Sequence, residues 1–365
     1  MTLVDLGQGE KPVTLTEEFK RYAKEAGIDL LGYTSASPFL VGDEKREVNP
    51  RDFLPHARSI VVAALYLYGY EKNASSLPCL AGRRAGAPRG RYGPGTRTAG
   101  VAARYLEKVQ REFLEKRGFK AVVSGKIPYK MAAVRSGIAY YGKNCIAYAD
   151  PFGSYLRLAA VITDAELEPT DGPVKVSDCG DCNLCVEACP TNALDRPYHL
   201  IREQCICIWL GGDRIPRDGR EKIGNYLRRC GFCQDVCPKN QGLAPRNEFP
   251  FEIEPMSDSP ELIPLLLGSE EYYRRTLPEY VVWRAGIDTI RRNVAVALGN
   301  SGDPAAIPAL TQALGFKHAE TRGAAAWALG KLNAKAAQEA LKKALVREKD
   351  EEVREDIEEA LRIIS

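Results

Sequence analysis

Cys179-Gly-Asp-Cys182-Asn-Leu-Cys185-Val-Glu-Ala-Cys189-Pro190 sets four thiols three, three and four residues apart and closes on a proline. A second run, Cys230-Gly-Phe-Cys233-Gln-Asp-Val-Cys237-Pro238, repeats the ending but is short by one cysteine, and Cys205 lies between the two. A cubane [4Fe–4S] cluster needs four thiolates arriving from different directions. Three close cysteines in a tight loop wrap one face, and the fourth must come from elsewhere. In runs of this spacing the cysteine before the proline ligates the other cluster of the pair. The pattern therefore assigns Cys179, Cys182, Cys185 and Cys237 to one cluster, and Cys189, Cys205, Cys230 and Cys233 to the other. Zinc is the rival, because Cys-x2-Cys pairs also build tetrahedral sites, but the full run is far more specific than a lone pair. Cys79, Cys145 and Cys207 are left over and read as small buried hydrophobes. Cys207, two residues past Cys205, is nonetheless kept among the candidate cofactor-binding positions.

Working outward, nine of the chain's eleven cysteines fall between Cys179 and Cys237, so metal chemistry is concentrated in one segment of a 365-residue chain. That length suits two or three domains, each with its own core. A net charge of +3 is too small to argue for nucleic-acid binding from bulk electrostatics, so any basic site must be local. The N-terminal stretch has no basic region followed by an apolar run, and nothing approaches the ~18 apolar residues that span a bilayer. A cytoplasmic protein with no membrane partner is expected. In that reducing compartment cysteines are ligands more often than disulfides.

The first 170 residues read as mixed α/β. Helical spacing marks Leu15–Ala26 and Ala99–Arg117, and the apolar runs Ser59–Tyr66 and Leu156–Thr163 read as buried strands. Residues 80–97, rich in Gly, Pro and Arg, read as a loop, and 164–175 as a linker into the cysteine segment. At the C-terminus, Arg292-Asn-Val-Ala-Val-Ala-Leu-Gly299 recurs as Arg322-Gly-Ala-Ala-Ala-Trp-Ala-Leu-Gly330 and more loosely as Arg354–Leu361. Small apolar residues at helical spacing, repeated about every 31 positions, mean stacked helix pairs of HEAT-like type. The expected fold is α+β with three domains: an α/β domain over 1–170, a ferredoxin-like insert carrying two clusters over 171–250, and helical repeats over 251–365, clearest from 285.

Gly137-Ile-Ala-Tyr-Tyr-Gly-Lys-Asn144 is followed by Phe152-Gly-Ser-Tyr-Leu-Arg157, Thr163-Asp164, the cysteine run, Ile223-Gly-Asn225 and Cys230 to Asn240. With the repeat tail, this order resembles the epoxyqueuosine reductase family from about residue 55 onward, and reductive dehalogenases more distantly. The resemblance implies cobalamin held base-off between the α/β domain and the insert, and clusters that reduce its cobalt. It also implies a substrate that is the epoxide of a modified tRNA base, with repeats that help hold the tRNA. It places Lys143 and Asn144, in a helix-to-strand turn, on the cobalamin pocket, with Tyr148, Gly153, Ser154 and Ala159 nearby. A ferredoxin- or flavodoxin-type protein would supply single electrons. His56, His199 and His318 show no ligand spacing, which suits a cobalt without a protein imidazole.

Three departures fall on the substrate side. The family's Val-Asp-x-x-Pro stretch, whose Asp is the proton donor, is replaced by Val123-Ser-Gly-Lys-Ile-Pro-Tyr-Lys130, and no Asp or Glu lies between Phe119 and Asn144. The family's Tyr-Ala-Arg-Gly-x-Asp-Tyr-His element gives way to Arg91-Tyr-Gly-Pro-Gly-Thr-Arg97, and its Met-Asp-x-Met-x-x-His segment is absent before residue 50. These leave the cluster side intact and open the choice between epoxyqueuosine in tRNA and a different small molecule. Tyr129 and Lys130 are the candidate catalytic pair, because a phenol of pKa ~10 can donate a proton when a cation steadies the phenolate. The plain alternative puts Tyr129 in the core and Lys130 in solvent, and Tyr140 and Tyr141 are lesser candidates. Arg83, Arg84, Arg89, Arg91 and Arg97 could meet phosphates or simply be solvated. The competing function is a two-cluster electron carrier, without cobalamin, that docks to a partner enzyme.

Overall fold

The computed structural model describes residues 13–42, 44–68, 88–92, 96, 98–170, 177, 179–246, 248–253, 259–277 and 279–365. Two compact units divide the chain, each assembled from separated segments: one within 1–65, 103–140 and 158–175, the other within 66–102, 141–157 and 176–365.

The first unit is built on a four-stranded sheet. Its order is Leu30–Ser35, Ser59–Tyr66, Leu156–Thr163, Ala121–Val122. All eight residues of Ser59–Tyr66 are buried, which is why this strand reads as an unbroken apolar run rather than an alternating one. It pairs antiparallel with Leu30–Ser35, from Leu30 opposite Ala64 to Ser35 opposite Ser59. Helix Leu15–Glu25 starts on a reciprocal cap: Thr14 accepts from the Glu17 amide and the Glu17 carboxylate accepts from the Thr14 amide. Its Phe19 is fully buried and stacks on Phe113 of helix Ala99–Glu115 with ring centroids 3.9 Å apart. Full burial of one such ring contributes about 1.5–3 kcal/mol. Both helices and both long strands lie where the apolar spacing puts them, the helices ending one or two residues early.

Between the edge strand Ala121–Val122 and helix Tyr129–Arg135, the chain runs through the stretch that carries no carboxylate. Pro128 is the residue before the helix, so Tyr129 and Lys130 fall in its first turn. Ala132, Ala133 and Val134 are buried, whereas Tyr129 is 41% exposed. The packing of Tyr129 in the core, expected as the plain alternative, is therefore not what the fold does: its ring sits on the outer turn, while the alanines take the inner face. Arg135 anchors the helix, donating to Thr34 Oγ1 and to the Ser35 and Ser37 carbonyls and lying 3.8 Å over the Phe39 ring.

The second unit contains the cysteine segment and the tail. Helices Ile287–Ser301, Ala319–Lys331 and Glu351–Ile364 stack side by side. The recurring Ala-Leu-Gly marks their line of closest approach. A Cβ at Gly299 would sit 2.8 Å from the Ala328 Cβ, and one at Gly330 would sit 2.9 Å from the Ala360 Cα. The cysteine segment is bound to these helices by buried polar contacts. Arg220 makes two 2.9 Å hydrogen bonds to the Asp356 carboxylate, both groups almost fully buried. Removing one partner of such a pair costs about 3–5 kcal/mol. Arg292, fully buried, donates to the Trp209 and Gly212 carbonyls, and Asn293 donates to those of Leu210 and Leu227. Burial pulls the Arg292 guanidinium down to about 10, still protonated at neutral pH.

Of the five arginines considered for phosphate, Arg83, Arg84 and Arg97 lie outside the described residues. Arg89 pairs with Glu261 at 2.9 Å. Arg91 is buried, lies 4.9 Å over the Tyr226 ring and faces Asp235 at 3.5 Å. These two belong to the packing of the second unit.

Candidate functional site

The site grows from a hairpin, Tyr140–Tyr141 paired with Ala147–Tyr148, whose connecting residues include Gly142, Lys143 and Asn144. The turn at Lys143 and Asn144 is thus strand-to-strand, where a helix-to-strand turn was expected: the helix ends at Arg135 and a short strand intervenes. Gly142 is required there, because a Cβ would stand 2.5 Å from the Tyr148 ring. The Lys143 ammonium donates to the Gly180 and Cys182 carbonyls at 2.7 and 2.9 Å and to Asn183 Oδ1 at 3.1 Å. Three donors thereby hold the loop that carries Cys179, Cys182 and Cys185.

Asn144 holds the other run. Its amide donates to the Cys233 carbonyl at 3.1 Å and to the Tyr148 hydroxyl at 2.8 Å, and that hydroxyl reaches Cys237. Burial, then the neighbouring Cys237, pushes the Tyr148 phenol well above its ordinary range. Ser154 closes the cradle: its backbone amide donates to Asn240 Oδ1 at 2.9 Å, and its hydroxyl accepts from Asn240 Nδ2 at 2.8 Å and Gln234 Nε2 at 2.9 Å. Gly153, at φ +59, lets Asn240 come that close, since a Cβ would meet Asn240 Oδ1 at 2.4 Å.

Lys143, Asn144, Tyr148, Gly153 and Ser154 are therefore brought together around the cysteine loops. Ala159 is not among them; it is buried in the strand Leu156–Thr163. Gln234 and Asn240 belong to the constellation although spacing did not single them out; their only signal was a place in the Cys230–Asn240 run. Ser177 was missed altogether. It donates to Cys179 Sγ at 3.1 Å while its oxygen lies 2.8 Å from the Tyr198 hydroxyl.

Cys179, Cys182, Cys185 and Cys237 line a cavity of about 210 Å³ with Gly142–Asn144 and Tyr148. One cysteine of the four thus comes from the second run. Burial, then Cys237 and Cys179, pushes the Cys185 thiol up. On the other side Cys233 is pushed up by burial and then by Cys207, Cys205, Cys185 and Cys189. Thiols crowded in this way repel one another once ionised, and a multinuclear iron core supplies the positive charge that lets them ionise together. Among the described residues no three Cys, His, Asp or Glu side chains converge on a single point. Cys207 is not the inert apolar plug that was expected: its sulfur lies 3.7 Å from Cys230 Sγ and accepts from the Cys230 amide at 3.3 Å. Cys145 is half-buried on the hairpin at φ +60. Tyr140 is buried, and Tyr141 is pushed up to about 12 by burial and by Cys145, which makes it a poor acid.

Residues 178–240 match the 4Fe-4S double cluster binding domain, and residues 287–362 match HEAT repeats. An epoxyqueuosine reductase of Bacillus cereus is 33% identical over 96% of this chain and 98% of its own length, and that of Bacillus subtilis is 34% identical over 96% of both. The chain belongs to the epoxyqueuosine reductase family. Among solved structures, an epoxyqueuosine reductase with an epoxyqueuosine-modified tRNA-Tyr stem loop superposes with a TM-score of 0.82 at 32% identity, covering 96% of this chain and 98% of that one. A Bacillus subtilis member, described with its aspartate catalytic loop swung out of the active site, gives 0.81 at 32% identity, covering 96% and 99%. The family's fold accounts for the mixed α/β part, the double-cluster segment and the repeats, and makes this chain an oxidoreductase. Among the described residues no helix is long and apolar enough to cross a membrane.

Proposed function

We infer that this chain reduces epoxyqueuosine in tRNA, taking electrons singly through two [4Fe–4S] clusters and acting with cobalamin. The observation that carries the reading is the cradle just described, in which cysteines of both runs close around one cavity in a chain that matches epoxyqueuosine reductases end to end. In this reading Cys179, Cys182, Cys185 and Cys237 hold one cluster, and Cys189, Cys205, Cys230 and Cys233 the other. Converting an epoxide to an alkene takes two electrons and two protons, and the oxygen leaves as water. A ferredoxin- or flavodoxin-type donor suits delivery one electron at a time.

The histidines suit a corrinoid without a protein imidazole on cobalt: His199 pairs with Asp195, His318 meets Thr321, and His56 is exposed. When bound, cobalamin supplies a low-potential cobalt centre able to deliver electrons to the epoxide carbon. The residues assigned to hold it are those of the Gly142–Tyr148 hairpin and Gly153–Ser154. Lys143 and Asn144 would take a double part here, because their polar atoms already fix the cluster loops.

Proton delivery is the finer part of the proposal. A relative is described with an aspartate on its catalytic loop, whereas this chain has neither Asp nor Glu between Phe119 and Asn144. Tyr129 is exposed on the first turn of its helix with Lys130 beside it, and we assign the proton to the Tyr129 hydroxyl, with Lys130 steadying the phenolate. The test of the cofactor reading is spectroscopic. Protein loaded anaerobically with cobalamin should show corrin bands over the iron–sulfur absorbance, unchanged when His56, His199 and His318 are each replaced by alanine. No corrin bands at all would favour the two-cluster carrier instead.

A further inference from the structure

We propose that Cys207 is an exchangeable ligand for the second cluster, able to take the iron that Cys205 holds. The proposal rests on the two-cluster reading above and adds a residue that the cysteine spacing leaves over.

A cubane takes four protein thiolates, one for each iron. Five cysteines are neighbours here: Cys207, Cys205 and Cys189 each act on Cys233, and Cys207 lies against Cys230. Cys205 is the residue before helix Ile206–Trp209 and Cys207 lies in that helix's first turn, so both sulfurs leave the same short stretch of backbone. The Cys205 and Cys207 side chains are neighbours. Cys207 Sγ also stands 3.7 Å from Cys230 Sγ and accepts from the Cys230 amide at 3.3 Å. The fifth sulfur is therefore within reach of two residues assigned to iron.

The backbone beneath the pair is fixed. Arg292 holds the Trp209 and Gly212 carbonyls at 2.8 Å, Asn293 holds that of Leu210 at 2.9 Å, and the Trp209 indole donates to the Glu203 carbonyl. Exchange then requires only side-chain rotation about χ1, with the helix unmoved. It is not a redox step. The iron–sulfur bond to Cys205 breaks as the bond to Cys207 forms, and the thiol proton of Cys207 passes to the departing Cys205 sulfur. Ligand count and cluster charge are the same before and after. The consequence is a cluster that survives loss of Cys205, for instance by oxidation of its sulfur.

The test uses full-length protein, reconstituted anaerobically with iron and sulfide, as wild type, Cys205→Ala, Cys207→Ala and the double variant. Iron and sulfide are counted and the reduced protein is examined by electron paramagnetic resonance. The Cys179 cluster signal in every variant reports that the chain has folded. Wild type and Cys207→Ala should each carry about eight irons, and the double variant about four. Cys205→Ala should also keep about eight, with an altered spectrum for one cluster only. If Cys205→Ala loses as much iron as the double variant, or retains a three-iron cluster, the exchange is refuted. Loss of a cluster in Cys207→Ala alone would make Cys207 the resident ligand and equally refute it. A wild type that never exceeds about four irons would instead sink the two-cluster reading itself.

Discussion

Two regions carry the family's chemistry, and they have been treated differently. Around the cysteines, residues 141–154 and 177–240 meet through side chains with named partners: Lys143 on three acceptors of the first run, Asn144 on Cys233 of the second, Ser154 on Asn240 and Gln234. From Phe119 to Gly137 the chain has no carboxylate, and it leaves Val123 and Tyr129 exposed. The difference follows from what each region does. Two clusters fix eight cysteine sulfur positions at once, so their surroundings tolerate little drift. A proton donor has only to place one acidic hydrogen near one atom, and more than one residue type can do that. The cluster side is therefore held, and the proposed assignment moves the donor from a carboxylic acid to the Tyr129 phenol.

The harshest way to break that contrast is to remove a crossed ligand. Cys189→Ser is expected to lower iron from about eight to about four per chain while sparing the cluster of Cys179, Cys182 and Cys185. Loss of the Cys179 cluster with the other intact would reverse the assignment. Next in size is the donor. Tyr129→Phe should slow turnover by ~10²–10⁴-fold, the usual contribution of a positioned acid, while the clusters and cobalt are reduced as fast as in wild type. Turnover at the wild-type rate in that variant would send the search for the donor elsewhere. Smallest is a tuning effect on the cluster side. The Ser177 hydroxyl donates to Cys179 Sγ at 3.1 Å, and such a bond stabilises the more negative, reduced cluster. Ser177→Ala should lower the potential of that cluster alone by about 20–60 mV, the equivalent of one ordinary hydrogen bond in a one-electron couple. A potential titration showing no shift, or a rise, would remove Ser177 from the account.

Legibility in the sequence followed the same divide. Cysteine spacing is local and rigid, so the runs could be read directly, and Ala-Leu-Gly recurring in the tail announced close-packed helices because only a small residue fits at Gly299 and Gly330. The long strands were legible because both of their faces are buried. What stayed hidden depends on side-chain placement that spacing does not carry. The Ser177–Cys179 bond turns on a hydroxyl rotamer, Arg91 looked like a phosphate ligand until its partner Asp235 was in view, and Cys207 looked inert until Cys230 was beside it. Nothing in the spacing of 119–137 indicated whether Tyr129 faced inward. Only the buried Ala132, Ala133 and Val134 settle which side of that helix is the inner one.

The central claim is that a chain without the family's aspartate still performs the family's reduction. It is tested most directly by a single-turnover reaction: fully reduced, cobalamin-loaded wild-type protein is mixed anaerobically with an epoxyqueuosine-modified anticodon stem loop, and the nucleoside is measured by mass. The account predicts loss of one oxygen, with queuosine formed in step with reoxidation of the protein. A stem loop recovered with its epoxide intact, from protein whose clusters and cobalt are demonstrably reduced, would contradict it.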